Sequence, residues 1–364
     1  MAIFVNYYQK KQSGVRGGSV YTAMMAKYMR SHNVNVFNVA WRSQRFIPDQ
    51  FSKYLTFPYL RLARLSQSKI VHLPGPFNPG CLMPKSKVVT TFHDQVNYEF
   101  YKQPTHGQSL LMRLEALAAA KTDYVITPSH FSAERTLARF PKFEGKINVV
   151  YPGIDEIFFG RRSKVEREET LKKLSLSPTT PFLLYVGAIS PHKNYRRVIE
   201  SYAQLKGRYP DLKLIMIGSI RRRREFPILL KLVREKKLSL RNDIIIPKQK
   251  LSTLELSVLY QSAKVFLFPS FYEGWGIVVG EALASGTPTV ISNIPVFKEC
   301  FSGGALMVDP YSVESIVEGV DALLSTPSLR EQHAEKGYKI VAGRTWENTA
   351  AETVKVYQKI SQYL

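Results

Sequence analysis

Ser270-Phe-Tyr-Glu-Gly-Trp-Gly-Ile-Val-Val-Gly-Glu-Ala-Leu-Ala-Ser-Gly-Thr-Pro288 is the most informative stretch of this chain. An apolar run, Val265 to Phe268, leads into its Gly-X-Gly loop, and helix-forming residues follow from Ile277 to Ala284. That succession reads as a strand, a tight turn and a helix start. Gly274 and Gly276 let the backbone approach a ligand closely, and the free N–H groups of a helix N-terminus favour anions such as phosphate. Glu273 lies in the turn and Glu281 on the helix. A carboxylate beside a phosphate repels it, so these two are read as acceptors for the hydroxyls of an attached sugar or ribose. The stretch is a nucleotide-sugar site in outline.

The remaining composition bounds the setting. At 364 residues the chain holds two ordinary domains, and 45% hydrophobic with 22% charged residues is the make-up of a soluble globular protein. There is no apolar run of 18 residues, and residues Ala2 to Val5 already read as a strand, so the expectation is a cytoplasmic protein without a spanning helix. Cys81 and Cys300 are the only cysteines and stand far from metal-ligand spacing, which argues against a disulfide framework or a zinc site. The net charge of +22 is uneven: residues 1 to 90 carry 13 Lys or Arg against one acidic residue, Asp49. Such a field attracts nucleic acid, anionic lipid surfaces or phosphorylated acceptors, or is a merely basic soluble surface.

Short β-branched or aromatic runs alternate with helical patterns, the signature of parallel sheets covered by helices. Strands are expected at Ile3 to Tyr7, Val34 to Val39, Lys69 to Leu73, Lys87 to Phe92, Tyr124 to Thr127 and Ile147 to Tyr151. A second series runs through Phe182 to Val186, Leu212 to Ile217, Asp243 to Ile246, Val265 to Phe268, Thr289 to Ser292 and Leu306 to Val308. This implies an α/β protein of two Rossmann-like domains, residues 1–160 and 181–346. The charged, then Ser-, Pro- and Thr-rich segment 161–180 reads as a linker that begins with a short helix, and 347–364 as an amphipathic closing helix.

Several loops fall at the carboxyl ends of the expected strands, where open α/β sheets bind ligands. Gln12-Ser-Gly-Val-Arg-Gly-Gly-Ser19 opens a helix but lacks the Gly-x-Gly-x-x-Gly spacing, so it is a ligand-facing loop or a plain turn. Thr91-Phe-His-Asp94 places His93 and Asp94 at the same edge, as site residues or as structural ones. In Ile126-Thr-Pro-Ser-His130 the favoured reading is structural, with Ser129 as a helix N-cap. Val186-Gly-Ala-Ile-Ser-Pro-His-Lys-Asn194 puts Lys193 where a compact positive charge reaches a diphosphate, against the alternative of a solvated surface lysine. Arg221 to Arg224 invites a nucleic-acid reading, but no nucleic-acid module accompanies it. Phe51 to Leu65 interleaves aromatic and basic residues; it suits an anionic membrane surface or, with Pro58 breaking it, a segment covering the core.

Taken together these residues resemble glycosyltransferase family four, the retaining enzymes of the GT-B fold. Phe268 to Pro288 resembles that family's two-glutamate signature. Val150-Tyr-Pro-Gly-Ile-Asp155, Thr127-Pro-Ser-His-Phe-Ser132 and Trp346-Glu-Asn-Thr-Ala350 are similar to its inter-domain, N-domain and final-helix segments. The resemblance implies two domains facing across a cleft, with the last helix packing back on the first domain. It implies that Glu281 holds the ribose hydroxyls and Glu273 the transferred sugar. Gly274, Trp275, Gly276 and Ile277 would offer backbone donors, and Lys193 would bind the diphosphate. His93 would lie near the sugar, and Gly17 with Gly18 near the phosphates or acceptor. Many members carry arginine directly after the glycine that ends the Gly187 strand, whereas this chain has Ala188, so Arg196 or the arginine run would supply a second cation. The Pro-His-Lys-Asn form resembles a mannosyltransferase-like branch, which tilts the expected donor to GDP-mannose or a related GDP-hexose.

None of the eight aspartates forms an Asp-x-Asp pair, so phosphate charge falls to Lys193, arginines and the helix N-terminus, and no metal or cofactor is expected. The expected chemistry is a retaining, metal-independent hexosyl transfer to a glycan or lipid-linked acceptor, with a possible peripheral contact with an anionic membrane. A UDP-sugar transferase or an epimerase on the same scaffold stands as the alternative, and a basic nucleic-acid-binding protein as a lesser one.

Overall fold

The computed structural model describes residues 2–9, 17–41, 69–75, 86–101, 106–219 and 225–362. By its backbone contacts the chain falls into two units, one made of residues 1–153 with 344–364 and the other of 154–343. Gln12 to Arg16, the aromatic and basic stretch Phe51 to Leu65, Cys81 and Arg221 to Arg224 lie outside the described residues.

In the first unit β1 (Ala2–Gln9), β2 (Asn35–Trp41), β3 (Ile70–Leu73), β4 (Lys87–Thr91), β5 (Tyr124–Thr127) and β6 (Ile147–Val149) form a sheet of order β2-β1-β3-β4-β5-β6, every pair parallel. Its helices are α1 (Gly17–Ser31), the short α2 (Val96–Glu99), α3 (His106–Ala120) and α4 (His130–Arg139). Ser129 caps α4 by accepting a hydrogen bond from the Ser132 N–H at 3.0 Å, so its role is structural.

The second unit repeats the plan. β7 (Phe182–Val186), β8 (Lys213–Ile217), β9 (Ile244–Ile245), β10 (Val265–Phe268), β11 (Thr289–Ser292) and β12 (Leu306–Val308) pair in parallel in the order β12-β11-β10-β7-β8-β9. Strands β7, β10 and β11 are buried along their whole length. Helices cover both faces of such a sheet, which is why these strands read as unbroken apolar runs rather than alternating ones. The helices are α5 (Lys164–Lys173), α6 (Tyr195–Arg208), α7 (Glu225–Glu235), α8 (Thr253–Ser262), α9 (Ile277–Ala284), α10 (Pro295–Phe301), α11 (Val313–Ser325) and α12 (Pro327–Val341). Phe266, Phe268, Tyr185, Tyr202, Tyr260 and Phe297 fill the core on either side of β10 and β7.

The division of the chain departs from the sequence expectation. It falls between Gly153 and Ile154 rather than after residue 160, and the stretch 161–180 lies within the second unit. That stretch is anchored locally: Ser163 and Glu166 form a capping box on α5, the Arg162 N–H donates to Gln261 at 2.9 Å, and Lys173 pairs with Glu255 on α8 at 2.6 Å. The final helix, α13 (Trp346–Ser361), groups with the first unit. Its Trp346 ring stands edge-on to Tyr21 of α1 at 5.7 Å, and its Thr349 hydroxyl donates to the Tyr151 carbonyl at 3.0 Å. Gly153 is packed against this junction so closely that a Cβ there would lie 2.2 Å from the Trp346 nitrogen.

Candidate functional site

The signature loop leaves β10 at Phe268 and enters α9 at Ile277. Gly276 is the N-cap of α9 and has φ +100°, a conformation that residues with a Cβ rarely adopt. A Cβ there would also meet Phe297 at 2.7 Å. Helix geometry leaves the Ile277 and Val278 amides without an intrahelical acceptor, so α9 presents them with the positive end of its dipole. Gly280 lets the helix settle on Trp275, whose ring would lie 2.9 Å from a Cβ at that position. The Trp275 indole is therefore a core group, edge-on to Phe301 at 5.3 Å and buried. Only its backbone is left for the ligand role the resemblance implies.

Two carboxylates of the loop and helix sit in different surroundings. Glu273 is nearly buried, and its Oε1 lies 2.5 Å from the Lys193 Nζ. Lys193 also stands over the Phe268 ring at 5.3 Å from the centroid. Residues 80 apart in sequence thus meet as one ion pair at the carboxyl ends of β7 and β10. Glu281 is buried on α9 and accepts a hydrogen bond from the Tyr260 hydroxyl at 3.0 Å. Burial pushes its carboxyl up to about 8; the Tyr260 bond opposes the shift and the charge of Asp155 adds to it. Burial thus favours the protonated carboxyl, a form able to donate as well as accept.

A web of hydrogen bonds fixes the loops that carry this pair. The His192 carbonyl accepts from the Phe271 N–H at 2.8 Å and the Ser270 hydroxyl at 3.0 Å, and the Ser292 hydroxyl donates to the Ser270 carbonyl at 2.5 Å. The Asn194 amide donates to the carbonyls of Pro269 and Pro310, both at 2.8 Å. Tyr185 donates to the Ala188 carbonyl at 3.1 Å from beneath the loop. Sequence reading missed Asn194, Ser270 and Tyr185 as supports, although Asn194 stood in the quoted Pro-His-Lys-Asn motif.

Arg196 is not joined to the Lys193–Glu273 pair. From the first turn of α6 its guanidinium reaches the Tyr195 hydroxyl and the buried carboxylate of Glu225, each at 3.4 Å.

In the first unit Gly17 and Gly18 open α1 at the carboxyl end of β1. His93, half-buried, approaches the Pro74 carbonyl with Nε2 at 3.0 Å and stands edge-on to the Tyr21 ring at 4.6 Å. Asp94 accepts from the Val96 N–H at 3.1 Å at the start of α2. Behind His93 lies a buried polar chain that sequence reading missed. His72 of β3 meets the Tyr357 hydroxyl with Nδ1 at 2.5 Å and the Thr91 hydroxyl with Nε2 at 2.7 Å. Burial and the neighbouring His93 hold His72 down at about 3, so it is neutral.

Among the described residues no group of three His, Cys, Asp or Glu side chains converges as a metal site, and no helix is long and apolar enough to cross a membrane.

Two parallel six-stranded α/β units of this strand order are the architecture of the GT-B fold. In agreement, sucrose-phosphate synthase from Thermosynechococcus elongatus superposes with a TM-score of 0.79 over 100% of both chains, at 18% identity. Residues 166–340 match the family model "Glycosyl transferases group 1" and residues 15–157 match "Glycosyltransferase Family 4". Together the two matched domains take up most of the chain, which is a glycosyltransferase. The O-antigen chain mannosyltransferase B of Escherichia coli is 29% identical over 79% of this chain and 74% of its own length. The O-antigen chain mannosyltransferase RfbU of Salmonella typhimurium is 28% identical over 61% of this chain and 58% of its own.

Proposed function

We propose that this glycosyltransferase moves mannose, or a closely related hexose, from a GDP-sugar to a glycan or lipid-linked acceptor, with retention of configuration and without a metal ion. The observation that carries the reading is the Lys193–Glu273 pair beside the amino end of α9. The mannosyl preference is supported by relatives that are named as mannosyltransferases.

In this reading the diphosphate takes Lys193 as its counter-ion together with the α9 amides, and Glu273, released from the lysine, accepts from hydroxyls of the sugar. Glu281, whose burial favours the neutral carboxyl, holds the ribose hydroxyls. His93, Gly17 and Gly18 are read as serving the sugar, phosphates or acceptor. The C1–O bond to phosphate breaks while the acceptor oxygen bonds to C1 on the same face. The departing phosphate oxygen takes the acceptor's proton. Stabilising charge as it develops on the leaving diphosphate is the protein's main contribution. Arg196, occupied by Glu225, is the second cation only if it gives up that pairing. The basic first quarter of the sequence supports a cytoplasmic enzyme that touches an anionic membrane where a lipid-linked acceptor resides.

Thermal-shift screening of GDP- and UDP-sugars comes first, since a bound donor raises the melting temperature by mass action. Transfer from the stabilising donor is then measured in Lys193→Ala and Glu273→Ala, both expected to lose activity. Wild-type rates in both variants would refute the site. Activity abolished by EDTA and restored by Mg²⁺ or Mn²⁺ would refute the metal-independent course.

A further inference from the structure

We infer that Asn194 is a positioning residue, whose side-chain amide sets the geometry of the Lys193–Glu273 pair by tying together the loops that follow β7, β10 and β12. The inference rests on the roles proposed for Lys193 and Glu273.

Asn194 ends the 3-10 turn Pro191–Lys193 and is the N-cap of α6. Its φ of 56° and ψ of 32° place it in the left-handed region, which asparagine tolerates better than other residues with a side chain. An N-cap residue ordinarily turns its side chain onto the first amides of its own helix. Asn194 makes no such capping bond. Its Nδ2 instead donates to the carbonyls of Pro269, at the exit of β10, and Pro310, beyond the end of β12. The side chain is 2% exposed, so both N–H groups of the amide are spent inside the protein, away from water.

The consequence falls on the neighbours. Lys193 precedes Asn194 directly, and Glu273 lies on the loop that Pro269 begins. The left-handed turn swings the backbone from Lys193 into α6, while the amide fixes the distance from that turn to the Glu273 loop. The His192 carbonyl bonds tie the same two loops but do not reach Pro310. The one Asn194 amide hydrogen-bonds to both Pro269 and Pro310. Without it, Lys193 keeps its charge but loses its fixed place relative to Glu273. A cation displaced by about 1 Å from a developing charge lowers the rate on the order of 100-fold.

The test uses variants that leave the backbone turn comfortable. Asn194→Gly accepts the left-handed conformation and removes the amide. Asn194→Asp keeps shape and turn but offers the two carbonyls an acceptor instead of a donor. The full-length variants are compared for GDP release from GDP-mannose, for GDP affinity by calorimetry, and for thermal unfolding. The expected result is a kcat lower by on the order of 100-fold in both, with GDP affinity changed less than about tenfold and a single cooperative melt retained. A kcat within about threefold of wild type in either variant, while Lys193→Ala is inactive, overturns the inference. So does a loss of kcat that only tracks loss of GDP affinity and of folded protein in both variants. Wild-type turnover in Lys193→Ala and Glu273→Ala would remove the site reading and this inference with it.

Discussion

Replacing Gly276 with alanine tests the shape of the signature loop more directly than any change of charge. Two separate costs arise. With φ at +100° and ψ at 61°, alanine is held in a left-handed conformation that costs about 1–2 kcal/mol. Its Cβ would lie 2.7 Å from Phe297 Cε1, and that ring has no room to retreat, being buried and packed against Phe268 and Phe301 at 6.4 and 5.9 Å between centroids. Overpacking of this kind adds about 1–3 kcal/mol. Gly286 provides the control, because it has φ +67° and nothing within 4 Å of a Cβ. Gly286→Ala is expected to lose about 1–2 kcal/mol, from the backbone alone. Gly276→Ala should exceed it by about 1–3 kcal/mol. Urea unfolding followed by tryptophan fluorescence, to which Trp275 in the same loop contributes with Trp41 and Trp346, measures both. Equal losses in the two variants would show that Phe297 does not bound the loop, and the account of the α9 entrance would fall.

Two further outcomes follow from buried polar groups. Glu281 is raised from 4.5 to about 8, so the folded state holds a proton that the unfolded chain releases, and stability declines as pH rises through that window. Glu115, pushed up to about 7 by burial and by Asp94, acts in the same direction in the first unit. Glu281→Gln should therefore show a melting temperature that falls less steeply between pH 4.5 and 8 than that of the wild type, and parallel profiles would contradict the burial argument. Tyr357→Phe strips His72 Nδ1 of its hydroxyl partner and is expected to destabilise the first unit by about 1–3 kcal/mol. An unchanged urea midpoint would count against the buried chain that joins α13 to β3.

The strands of the second unit were legible because β7, β10 and β11 are parallel and buried along their whole length, so that runs such as Phe182 to Val186 and Val265 to Phe268 stand out without periodic analysis. The division of the chain was not. A charged segment with Ser, Pro and Thr looks like a linker locally, and its anchoring by Gln261 and Glu255 depends on residues far along the chain. Lys193 and Glu273 were legible for a similar reason to the strands: each sits at the end of an apolar run, so the topology brings them to one edge. The Asn194 ties and the His72–Tyr357 bond were hidden. Their partners lie 75 and 116 residues away in the first case and 285 in the second, and the partners of Asn194 are backbone carbonyls, which carry no sequence mark.

The close seat of Gly153 on Trp346 bears on the order in which the protein is made. Unit 154–343 is topologically an insert, leaving and rejoining the first unit at neighbouring points. All its strands and helices emerge from the ribosome before α13 does. The first unit cannot fill the space beside Tyr21 or satisfy His72 until residues 346–361 arrive. During synthesis the unit 154–343 is thus the first that can be completed, and the sheet of the first unit waits for α13.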